Sequence, residues 1–179
     1  MSRDKSAIAT LQNRLNAQGM ELKPYTLPLE PYQVHRTYSG LKTVVSLGLV
    51  SGKYDNNFGL DNPANPVEFG LLFANSRGYF GDRLPGQPSA WFPQDKKLEE
   101  QMRQNKLTLE HAATIAAMAL GLSFEQGNAL SGLKQAGYLR DITISGIKQP
   151  DALTVGESYM VFRDVAMKLG FRPPVSTVE

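Results

Sequence analysis

Two histidines and no cysteine are all that this 179-residue chain offers to the commonest acid–base and nucleophilic chemistries. A catalytic triad or a helical metal pair sets a histidine at a fixed spacing from a serine, aspartate or glutamate. Neither His35, beside Arg36 and Tyr38, nor His111, third in a helix opened by Thr108, has such a partner. Without cysteine there is no disulfide, zinc finger, iron–sulfur cluster or thiol nucleophile. Asp55, Asn57, Gly59 and Asp61 alternate like calcium ligands, but the glycine and bidentate glutamate of an EF-hand loop are out of place, so the run reads as Asx-stabilised turns. Gly48 to Lys53 holds glycine, serine and lysine without the spacing of a phosphate-binding loop. These residues predict no metal, no cofactor and a non-enzymatic protein.

The elements that carry them follow from periodicity. Ile8, Leu11 and Leu15 share one stripe of a helix over 5–18. Pro24, Pro28 and Pro31 then impose an extended arm, so residues 1–36 form a helix and arm and 37–179 the main domain. The apolar arm residues Tyr25, Leu27, Leu29 and Tyr32 either pack on their own domain or reach a neighbouring subunit. From Tyr38 two stretches repeat with an offset of 89 residues: Leu41, Val44, Gly48 and Glu68 match Leu130, Leu133, Gly137 and Glu157. In each, a short helix ends at a glycine, and a second begins at a cap, Asn65 with Glu68 or Thr154 with Glu157. Thr108 caps a third helix ended by Gly121, with a partner helix at 96–105, and Ser123 to Gln126 reads as a further capping box. Residues 78–95 are a turn-rich insertion whose Tyr79, Phe80, Trp91 and Phe92 are expected to be a sticky contact surface.

The run from Gly48 through Gly52, Asp55, Phe58, Pro63 and Glu68 to Phe69 resembles the S-layer homology repeat, which reads roughly G-I-V-S-G-x-x-D-G-x-F-x-P-x-x-P-x-T-R-A-E-F. The match is best over 41–74 and weaker over 107–122 and 124–171. The resemblance implies a mainly α fold of three helix–loop–helix repeats about a pseudo-threefold axis, binding cell-wall polysaccharide, with Asp55, Glu68 and Glu157 as candidate glycan contacts. The family's glycan-binding arginine is replaced by Pro66, Leu109 and Val155, none of which can offer a fork of donors to an anionic sugar.

Charge and targeting narrow the role. A net charge of +2 is too balanced for a dedicated nucleic-acid binder, and a helix-turn-helix over Leu120 to Leu139 presents too few basic and amide side chains. The first residues contain no apolar signal region, and the longest apolar stretch, Ala112 to Leu122, is too short for a membrane span. A structural protein made in the cytoplasm and built into a larger oligomeric assembly, such as a phage virion, is therefore the leading expectation. A cell-envelope glycan-binding module is the alternative, and a DNA-binding protein a second one.

Overall fold

The computed structural model describes residues 29–50 and 58–172. The expected helix over 5–18, Tyr25, Leu27 and Asp55 lie outside them. Among the described residues seven α-helices follow in order: α1 (Tyr38–Ser46), α2 (Pro66–Phe80), α3 (Lys96–Arg103), α4 (Leu109–Ala119), α5 (Ala129–Gln135), α6 (Asp141–Ser145) and α7 (Val155–Lys168). The fold is mainly helical, and among the described residues the only β-type pairing is an antiparallel bridge between Pro63 and Thr154.

The long helices start where side-chain caps satisfy orphan amides. Asn65 Oδ1 accepts from the Glu68 amide at 2.9 Å, Thr108 Oγ1 from the His111 amide at 3.0 Å, and Thr154 Oγ1 from the Glu157 amide at 3.1 Å. Only the last is a complete capping box, because Glu157 returns to the Thr154 amide while Glu68 turns outward to Arg103. Helix ends are equally regular. Beyond α1, α4, α5 and α7 a glycine with positive φ (Gly48, Gly121, Gly137, Gly170) lets the next amide reach back five residues, as from Leu49 to the Val44 carbonyl at 2.9 Å and from Tyr138 to the Leu133 carbonyl at 2.9 Å.

The helices pack in a cycle. Helix α1 lies on α7, α3 on α2 and α5 on α4, while α2, α4 and α7 contact one another at the centre. Phe69, Phe73 and Phe162 run edge to face through this centre at 5.3 and 5.1 Å. Small side chains on α4, with Ala112, Ala113 and Ala116 fully buried, allow the close approach. Just before each central helix the chain enters a closed ring of backbone hydrogen bonds. The Ala64 amide donates to the Leu153 carbonyl (3.0 Å), the Leu153 amide to the Leu107 carbonyl (2.9 Å) and the Leu107 amide to the Ala64 carbonyl (3.3 Å).

Two expectations are corrected. Helix α5 does not begin at a Ser123 capping box: residues 121–128 are not helical, so the two-helix hairpin over Leu120 to Leu139 is absent. The amides of Ala129 and Leu130 are instead capped by the carboxylate of Glu110, reaching across from α4. The 78–95 segment is not an exposed aromatic loop either. Tyr79 and Phe80 end α2 inside the core, and Trp91 is buried with its Nε1–H donating to the Gly70 carbonyl at 3.3 Å. A Cβ on Gly70 would lie 2.6 Å from Trp91 Cδ1, so the glycine opens the slot that takes the indole. Only Phe92 remains half-buried. Of the two alternatives for the arm, the described end follows the first: Leu29 is buried and Tyr32 packs edge to face on Phe58 at 5.2 Å, both on their own domain.

Candidate ligand-binding grooves

His35 is tied into the scaffold. His35 Nδ1 accepts from the Thr37 amide at 3.1 Å, which leaves the proton on Nε2, 3.0 Å from Asp61 Oδ1. His111 is half-buried on α4, and that burial pushes its pKa down. Among the described residues no three His, Cys, Asp or Glu side chains converge where they could hold a metal ion.

Glu157, expected as a glycan contact, is only 2% exposed. Its Oε1 accepts from the Thr154 amide and Oε2 from the Lys148 amide, each at 2.9 Å, and Arg36 Nη1 lies 3.0 Å from Oε2. Burial alone would raise its pKa, but the two amides and the guanidinium outweigh it and the pKa is lowered. With every oxygen engaged by its own chain, Glu157 is a clasp between α7, the Lys148 turn and the segment before α1. Glu68 sits differently. It is exposed at the lip of a groove of about 450 Å³ between α2 and α7, lined by Leu49, Val50, Phe58, Asn75 and Tyr159, and pairs with Arg103. Burial and the neighbouring Glu68 push the Tyr159 hydroxyl up to about 12, so it remains a neutral donor and acceptor.

A second pocket, also about 450 Å³, opens between α1, α6 and α7. Three guanidiniums line it: Arg36 before α1, Arg140 at the start of α6 and Arg163 on α7. Arg36 also donates to the Gly146 carbonyl at 3.1 Å. Arg140 donates through its backbone amide to Asp164 Oδ2 at 3.0 Å and through Nε to Oδ1 at 3.1 Å. Arg163 Nη1 stands 3.6 Å from the same Oδ1, beyond hydrogen-bond distance, and its Nε and Nη1 are buried without a partner. Burial and the adjacent Arg140 lower its pKa, against the pull of Asp164. The arginine cluster was not foreseen, because Arg36, Arg140 and Arg163 are far apart in sequence. Its trace in the sequence is the presence of Glu157, Arg163 and Asp164 on a helix that otherwise supplies Val161, Phe162, Val165 and Ala166 to the core.

Comparison with models of known families, with curated proteins and with solved structures gives no significant match. Among the described residues no helix is long and apolar enough to cross a membrane.

Proposed function

We propose that the chain is a non-enzymatic binding module on a scaffold of S-layer-homology type, holding cell-envelope polysaccharide in the groove beside Glu68. The observation that supports this most is the ring of Ala64, Leu107 and Leu153, each followed by the cap of a central helix. A three-membered hydrogen-bond cycle with outer helices passed round in the same sense is what three copies about a pseudo-threefold axis require. On this reading the copies are α1 with α2, α3 with α4, and α5 to α7, the last including an extra short helix. The Glu68 groove has the makings of a sugar site: apolar and aromatic walls from Phe58 and Tyr159, and a rim of Asn65, Glu68 and Asn75 to hydrogen-bond hydroxyls.

Co-sedimentation with purified wall polysaccharide tests the reading. The wild type is expected to pellet with the polymer, and Glu68→Ala or Tyr159→Ala to weaken it about tenfold, the scale of one good polar or stacking contact. Retention of both variants at wild-type strength would remove the groove from the function.

A second reading, a component of a larger protein assembly such as a virion, draws support from Val34, 94% exposed, and Ile142, 70% exposed. These apolar side chains stand on two segments joined by the Arg36 to Gly146 hydrogen bond. Copurification of the chain with particles tests it.

A further inference from the structure

We infer that the pocket between α1, α6 and α7 is an oxyanion site, in which Arg163, with Arg140 and Arg36, receives a carboxylate or phosphate group of a ligand. It is separate from the Glu68 groove and does not depend on the polysaccharide reading.

The local charge is incomplete. Three guanidiniums face only two carboxylates, and both of those are committed: Glu157 to Arg36 and two backbone amides, Asp164 chiefly to Arg140. Arg163 is left with the 3.6 Å approach to an oxygen that Arg140 already holds. An arginine kept 85% out of water normally spends its planar fork on acceptors, and here two of its nitrogens have none. The three arginines come from separate parts of the chain and line one pocket of about 450 Å³, roomy enough for a sugar acid or a phosphate. Its wall also carries Thr143, whose hydroxyl accepts from Arg140 Nη2 at 3.4 Å and can turn its own proton to a ligand oxygen, and Ile142 and Met160, which limit water. A turn of the Arg163 guanidinium toward the pocket presents two parallel N–H groups to two oxygens of one anion, the geometry carboxylates and phosphates share. An acidic sugar or a phosphodiester polymer could supply that group.

Thermal unfolding in the presence of sodium glucuronate, inorganic phosphate or sodium chloride at matched ionic strength tests the site. The full chain is expected to gain Tm with increasing glucuronate or phosphate beyond the chloride reference, with millimolar affinity. A larger response to glucuronate assigns the site to acidic sugars, and a larger response to phosphate assigns it to phosphorylated ligands. Arg163→Gln is expected to weaken the response at least tenfold, and Arg163→Lys to keep the charge but recover only part of it. Responses no greater than chloride, or unchanged in Arg163→Gln, overturn the proposal. Should both variants fold poorly by circular dichroism, the arginine Nε–H resonances of the wild type decide it: the Arg163 signal shifts with the anion if the site is real and stays fixed if it is not. Anion binding without polysaccharide sedimentation would retain this site while the Glu68 reading fell.

Discussion

At the scale of single residues, the acids show how the same side chain can be a surface feature or a structural clasp. Glu68 and Glu157 occupy the same third position after a helix cap, yet the first is exposed and the second almost wholly enclosed. Position after a cap was legible from sequence; what closed over Glu157 was not, since Arg36 and Lys148 arrive from other segments. The consequence is measurable. Glu157→Gln preserves an acceptor for the Thr154 amide but leaves Arg36 and the Lys148 amide poorly served, so at pH 7 it is expected to cost about 1–3 kcal/mol in urea unfolding. The pH dependence has a definite sign. Because the folded-state pKa of Glu157 lies below its ordinary 4.5, its contribution is present above that value and lost as pH falls through the lower folded one. The wild type should therefore lose stability over this acid range more steeply than Glu157→Gln. Parallel curves would mean that the carboxylate is not held as its contacts indicate.

Between elements, α1 and α7 pack closely, with the start of the short helix set onto the backbone of the long one. Gly40 makes it possible: a Cβ there would lie 2.7 Å from the Met160 nitrogen and 2.7 Å from the Tyr159 carbonyl carbon, neither of which can move independently. The Gly40 amide and the Ser39 hydroxyl both meet Met160 Sδ at 3.2 Å, fixing the register of the crossing. Gly40→Ala should force the helices apart at a cost of about 1–3 kcal/mol, an overpacking penalty that outweighs the gain in helix propensity. For a chain of this size that is roughly 2–4 °C in Tm for each kcal/mol. A neutral or stabilising result would show that the crossing yields. Such contacts also explain what sequence reading could and could not reach. The caps at Asn65, Thr108 and Thr154 and the glycine stops at 48, 121 and 137 act within a few residues, so their local pattern sufficed. Ser123 offered an equally good local pattern, yet Glu110 supplies the cap of α5 from 19 residues away. Trp91 looked like a loop aromatic because nothing near it in sequence reveals the slot at Gly70, 21 residues earlier.

Across the whole molecule, stability converges on three residues that form no regular element. Ala64, Leu107 and Leu153 are each less than a tenth exposed, and each donates one backbone hydrogen bond to the next around the ring. Breaking one link strands a buried amide and a buried carbonyl together, so no single link opens cheaply. The ring joins segments 43 to 89 residues apart, so it closes only when all three central helices are in place. The three amides should then exchange with solvent only through global unfolding, with one common free energy equal to that from urea denaturation. Amides at the exposed end of α3, where Leu98 is 47% exposed and no residue is buried, should exchange at much lower free energy. Faster exchange of Leu107 alone would single out the α3 and α4 portion as a separately opening unit. Its hydrogen bond to Ala64 is the longest of the three, and α3 has the least apolar anchoring. A common value for all three would instead make the ring the point through which anything bound at either groove, one between α2 and α7 and the other between α1, α6 and α7, is coupled to the stability of the entire fold.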